Sequence, residues 1–99
     1  MKLIEANYAN EYKVNVKFDD GTEGTVDLFV DLNKFKDTSF YTLTDENNFT
    51  RFTINSFGNL EWYNGWDYCK DALYMRLKGV NIEDENEVLN FIKNHQLAV

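Results

Sequence analysis

Tyr12-Lys13-Val14-Asn15-Val16-Lys17-Phe18-Asp19-Asp20-Gly21-Thr22-Glu23-Gly24-Thr25-Val26-Asp27-Leu28 is the stretch on which the fold turns. Tyr12, Val14, Val16 and Phe18 alternate with Lys13, Asn15 and Lys17, the period of a half-buried strand. Gly24, Val26, Leu28 and Val30 form the inward set of a second strand, against Glu23, Thr25, Asp27 and Phe29. The faces select the turn. A two-residue Asp20-Gly21 loop sets Phe18 opposite Glu23 and Val16 opposite Thr25, which mixes core and solvent faces. A three-residue loop, Asp19 to Gly21, pairs Phe18 with Thr22, Val16 with Gly24, Val14 with Val26 and Tyr12 with Leu28. A type I turn followed by a left-handed residue wants glycine in its third position, and Gly21 is there. The outer face agrees: Lys17 falls opposite Glu23, Asn15 opposite Thr25 and Lys13 opposite Asp27. Opposite charges across strands contribute roughly 0.2–1 kcal/mol each.

The same logic works outward. Pairing Ile54 with Leu60 and Phe52 with Trp62 leaves a loop Ser56-Phe57-Gly58, again with glycine third. On its outer face Thr53 falls opposite Glu61 and Arg51 opposite Tyr63, with Arg51 placed to lie over the ring. Upstream, Ile4, Ala6 and Tyr8 predict a strand joined to the first hairpin by a loop near Ala9-Asn10-Glu11. The middle predicts helical turns at Asp31 to Phe35 and at Ser39 to Leu43, the latter with Phe40 and Leu43 inward. Cys69, Ala72, Leu73 and Leu77 make a helical stripe that Asp67 or Asp71 caps and Gly79 ends. A last helix starts near Asp84, with Glu87 at capping-box spacing and Val88, Leu89, Phe91 and Ile92 on its apolar face. Lys93 and His95 suit the negative end of its dipole. The expected class is α+β: an antiparallel sheet of about five strands, built from a three-stranded meander and a second hairpin, packed against C-terminal helices.

The chain has 99 residues, which is one domain, with a core over 1–77 and an appended helix over 78–99. Apolar residues at 43% and aromatic residues at 16% are enough for one core and exclude global disorder. A formal net charge of −7 repels phosphate backbones, so nucleic acid is disfavoured, and it suits a basic protein partner as well as plain solubility. The single cysteine excludes an internal disulfide. Met1-Lys2-Leu3-Ile4 runs into Glu5 without a signal-type apolar region, and no apolar run approaches the ~20 residues of a membrane span. The expected location is cytoplasmic, away from membranes.

Chemistry is sparse. Cys69 has no base nearby in sequence and reads as core; His95 reads as a solvated helix end. No metal-ligand spacing occurs, and Asp19, Asp20 and Glu23 bracket a turn without the spacing of a calcium loop. The glycines are accounted for by turns and a helix end, which leaves no phosphate loop. The expectation is a protein that is not an enzyme, with no catalytic residue, cofactor or metal. Interaction remains. Phe29, Phe57, Tyr63 and Trp66 fall outside the inward sets or on turns, and are the candidate partner contacts. Edge strands also offer a route to a homodimer. The alternative is a regulatory or ligand-sensing domain with a pocket between sheet and C-terminal helices, lined by Trp62, Trp66 and Tyr74.

Several pieces together resemble a known family: Phe18-Asp19-Asp20-Gly21; Val26-Asp27-Leu28; Phe40 with Leu43, Asp45 and Phe49; Glu61-Trp62-Tyr63-Asn64-Gly65-Trp66-Asp67; and Leu73-Tyr74. From Leu3 to Leu77 the chain looks like the small prokaryotic proteins grouped as domain of unknown function 2442. Members usually carry a proline between the Trp and the Asn-Gly, where this chain has Tyr63. The resemblance implies an α+β fold with an antiparallel sheet and no known activity, cofactor or catalytic residue. It also implies a role as the antitoxin-like partner of a small toxin-like protein encoded next to it. Some members are fused to DNA-binding helices; no helix-turn-helix is evident here. The expected function is a non-enzymatic, cytosolic protein-binding module that masks or positions a cognate protein.

Overall fold

The first hairpin forms in the register that its faces require. The computed structural model describes residues 2–34, 38 and 41–95. In it, β1 (Leu3–Tyr8), β2 (Lys13–Phe18) and β3 (Glu23–Asp27) make an antiparallel sheet in that order. Val16 lies opposite Gly24, Val14 opposite Val26, Asn15 opposite Thr25 and Lys17 opposite Glu23. Phe18 N–H donates to Thr22 O at 2.8 Å, and Gly21 takes the left-handed φ of 88°. The Thr25 hydroxyl donates to Asn15 Oδ1 at 2.6 Å across the outer face. Lys13 does not close an ion pair with Asp27; its Nζ lies 3.5 Å from Glu11 instead. A Cβ at Gly24 would come within 2.9 Å of Leu77 Cδ2, so a larger residue there would make the end of the Leu77 side chain shift.

Two expectations at the front of the chain are corrected. Leu3 pairs with Phe18 but Glu5 pairs with Lys17, so Ile4 is the extra residue of a β-bulge. The bulge turns Leu3 into the core at 4% exposure and leaves Ile4 48% exposed. Tyr12 does not continue the strand in extended form. It and Glu11 have φ of 64° and 47°, although Tyr12 O still accepts Leu28 N–H at 3.0 Å.

The second sheet holds β4 (Phe52–Ile54), β5 (Leu60–Trp62) and β6 (Asp67–Tyr68), again antiparallel and in order. Phe52 faces Trp62, Thr53 faces Glu61 and Ile54 faces Leu60, as expected, and Arg51 lies 4.1 Å over the Tyr63 ring. β6 was not expected. Tyr63-Asn64-Gly65 is a third loop with glycine last, at φ 92°, and Trp62 N–H donates to Trp66 O at 2.7 Å. Asp67 therefore pairs with Glu61 as a strand residue rather than capping a helix. The described strands form two three-stranded sheets, not one sheet of about five, and the α+β class stands.

Between the sheets run α1 (Phe29–Asn33), a 3₁₀ helix (Tyr41–Thr44) and α2 (Glu46–Phe49). Asp45 caps α2 by accepting the Asn47 N–H at 2.9 Å. Leu43 is fully buried. Phe35 and Phe40 lie outside the described residues, as does the side chain of His95. α3 (Lys70–Leu77) starts after Cys69, which is exposed rather than core, and it buries Asp71, Leu73, Tyr74 and Met75. Gly79 N–H to Arg76 O and Val80 N–H to Met75 O, at 3.1 and 2.9 Å, end it in a Schellman motif. α4 (Glu85–His95) starts where Asp84 accepts the Glu87 N–H at 3.2 Å; the Glu87 carboxylate reaches back to Asn81 N–H at 3.1 Å. Of its expected apolar face, Phe91 is buried, whereas Leu89 is 56% exposed. One core joins Val14, Val16, Phe18, Val26 and Leu28 to Leu43, Phe49, Leu60, Trp62 and Leu73. No described helix is long and apolar enough to cross a membrane.

Candidate functional site

Tyr12 is the place where local backbone, packing and surface meet. Two consecutive non-glycine residues in the left-handed region are uncommon, and each costs about 1–2 kcal/mol. Surrounding contacts hold Tyr12 there. Its N–H donates to Tyr8 Oη at 3.2 Å, and its own hydroxyl donates to Thr44 O at 2.6 Å. Its ring lies 5.3 Å from Phe49 and 5.7 Å from Phe29. The Tyr8 hydroxyl donates in turn to the Glu46 carboxylate. Burial, then that bond, hold the Tyr8 phenol above its usual pKa.

The 3₁₀ helix continues the row. Tyr63 donates to Thr42 Oγ1 at 3.1 Å, while Arg51 covers one face of its ring. Phe29, Tyr41 and Tyr63 are 52%, 58% and 46% exposed, so three large rings stay in water while tethered to this short element or its neighbours. A cleft of about 230 Å³ opens between Tyr12, Phe29, Leu32, Asn33 and Thr44. Glu11, Asp27, Asp45 and Glu46 border the row along the chain. Rigid rings with few rotamers, next to carboxylates, favour contact with a protein carrying apolar and basic groups. Among the described residues, no three His, Cys, Asp or Glu converge as metal ligands.

Of the four contact residues expected from sequence, the structure joins Phe29 and Tyr63 through the 3₁₀ helix. Phe57, 77% exposed, stands at the tip of the β4–β5 hairpin, the end opposite Tyr63, where its carbonyl accepts from Lys70 Nζ at 3.2 Å. Trp66 is half-buried, 4.5 Å from Trp62 and 6.0 Å from Tyr68. The rings expected to line a sensing pocket are divided. Trp62 and Trp66 share one aromatic cluster, while Tyr74 packs on Phe18 at 5.1 Å and Phe91 at 6.2 Å. Tyr12 and Tyr41 were missed as site residues. Strand alternation put Tyr12 inward, and no periodicity marks Tyr41.

One polar cluster fixes α1, and with it Phe29. Arg76 donates to Asp31 Oδ2 at 2.7 Å and Tyr68 Oη at 2.9 Å through Nη1, and to Asp27 O at 2.6 Å through Nη2. Burial works against the Arg76 charge, but the Asp31 and Tyr68 bonds outweigh it, so its pKa is raised. Burial raises the pKa of the Tyr68 phenol, with the Arg76 bond working the other way.

A family model described as Protein of unknown function (DUF2442) matches residues 3–79. No curated protein and no solved structure matches the chain.

Proposed function

The chain belongs to the family of proteins of unknown function DUF2442, and on that premise we propose that it is a non-enzymatic, cytoplasmic protein-binding module. The contact surface is the row from Phe29 through Tyr12 and the 3₁₀ helix to Tyr63. The observation that carries this reading is the set of exposed rings held in place at the cost of a left-handed Tyr12. The partner is a small basic protein, since the chain carries a net charge of −7 and acids border the row. An antitoxin-like pairing with a toxin-like protein encoded beside it is the case that the family resemblance supports.

The test is co-expression of the tagged chain with the product of the adjacent gene. The wild type retains that product. The double variant Phe29→Ala/Tyr63→Ala binds it at least ~10-fold more weakly, measured well below its urea midpoint, which falls because the Tyr12–Phe29 and Tyr63–Thr42 contacts are lost. Leu89→Ala, exposed on α4, retains it fully. Equal retention by the double variant removes the row as the contact surface. If the product is neither retained nor harmful when expressed alone, the antitoxin pairing fails.

A further inference from the structure

The free edge of β3 keeps its backbone groups unpaired. The bonds at the two ends of the first hairpin, Phe18 N–H to Thr22 O and Leu28 N–H to Tyr12 O, fix the phase of the ladder. Thr22, Gly24, Val26 and Leu28 therefore turn their backbone groups toward β2, and Glu23, Thr25 and Asp27 turn theirs away. The Asp27 carbonyl shows the direction, since it accepts Arg76 Nη2 at 2.6 Å. No described strand pairs with that side of β3, and among the described residues no group bonds to the amides or carbonyls of Glu23 and Thr25. Both residues are exposed, and a hollow of about 290 Å³ opens beside them on the outer face. α3 meets β3 from the core face, where Leu77 packs under Gly24.

The two edges of this sheet differ. β1 carries the bulge at Ile4, and a bulge is one of the devices that keep an edge from pairing. β3 has five consecutive paired residues without a bulge, and it holds neither proline nor lysine. Its guard is charge. Paired antiparallel about Thr25 with a second copy of the chain, it would set Glu23 against Asp27 twice over, and like charges directly opposite destabilise. The same charges select an occupant. Across the outer face Glu5, Lys17 and Glu23 stand side by side with alternating sign, as do Lys13 and Asp27, so a basic residue continues each row. Among the described residues neither Glu23 nor Asp27 closes an ion pair. Asp19 and Asp20 add negative charge at the hairpin tip next to Glu23.

We propose that the β3 edge is a docking site for an extended basic segment of a partner protein, which adds antiparallel as a fourth strand. Glu23 and Thr25 exchange backbone hydrogen bonds with it, and Arg76 ends the ladder at the Asp27 carbonyl. On the outer face the segment carries Lys or Arg opposite Glu23 and Asp27, and a small hydroxyl residue opposite Thr25. This edge is a separate face from the Phe29–Tyr63 row, and a protein held on the row leaves the Thr25 amide free.

The probe is a capped peptide, Ser-Lys-Val-Thr-Val-Lys-Ser, titrated to millimolar concentration into the isotope-labelled full chain and followed by NMR of the backbone amides. The largest shifts should fall at Glu23 and Thr25, whose amides should also exchange more slowly. A peptide with Glu in place of both Lys should bind at least about tenfold more weakly. The ladder phase makes a sharper demand. N-methylation of the peptide's Thr amide, which faces β3, should weaken binding about tenfold, whereas N-methylation of the Val amide that follows it, which faces away, should not. Glu23→Lys, which breaks no ion pair of the fold, should bind the basic peptide about fivefold more weakly. Equal tolerance of the two N-methylated peptides would leave a contact of charge alone and overturn the strand pairing. Loss of binding in Tyr63→Ala would place the peptide on the row and overturn it too. So would shifts confined to amides away from β3, or no binding at millimolar peptide.

Discussion

Trp62→Ala should lower the unfolding free energy by about 3–5 kcal/mol in a urea titration. The ring is 1% exposed and lies 5.4 Å from both Phe49 and Phe52 and 4.5 Å from Trp66. Truncation leaves a cavity at the centre of that cluster. It also strands the Phe49 carbonyl, which accepts the indole N–H at 2.7 Å. Phe49 carries the disturbance outward, since Tyr8 and Tyr12 pack on its ring at 5.8 and 5.3 Å. A domain of this size has only about 5–15 kcal/mol in total, so the variant should be partly unfolded at 37 °C or close to it. Trp62→Phe keeps most of the apolar contact and loses the donor, so its cost should be about 1–2 kcal/mol. A cost below about 1 kcal/mol for the alanine variant would mean that the ring is not the centre of this cluster.

Arg76→Met comes second, at about 2–3 kcal/mol. The guanidinium serves three acceptors from three segments: Asp31 on α1, Tyr68 on β6 and the Asp27 carbonyl at the end of β3. Its removal leaves a partly buried carboxylate unpaired. The Arg76 and Asp31 side chains keep 24% and 19% exposure, so water relieves part of that penalty and the cost falls short of that of a fully buried pair. Arg76→Lys should recover little, because an ammonium cannot span the fork. Arg76→Met/Asp31→Leu should be more stable than Arg76→Met alone, because no charge is then stranded. If the double variant is the less stable, Asp31 stabilises the first turn of α1 without Arg76, and a stranded charge is not what Arg76→Met costs.

How much of the fold was legible in the sequence depends on how local each constraint is. The two hairpin registers could be read because strand period and loop length both had to satisfy one buried face, and glycine third in the loop fixed the length. The third hairpin has the same loop, Tyr63-Asn64-Gly65, but β6 spans only Asp67–Tyr68, too short to show a period. Its Asp67 also faces Glu61, a like-charge pair that argues against pairing. Ile4 was misplaced because a bulge shifts the alternation by one residue, and nothing local announces it. Cys69 was read as core by its spacing, yet the helix starts one residue later and leaves it outside. In the candidate site, Phe29 and Tyr63 stood out because they broke the inward sets. Tyr12 and Tyr41 did not, because their place depends on a 3₁₀ helix packed against a hairpin far away in sequence.

Hydrogen exchange on the chain alone, and again with its captured partner bound, tests the row most directly. The expected footprint is slowed exchange at residues 29–33 and 41–44 and at Tyr63, with the outer face of the first sheet at Asn7, Asn15 and Thr25 unchanged. Protection on that outer face, with 29–33 and 41–44 exchanging as in the free chain, would contradict the account.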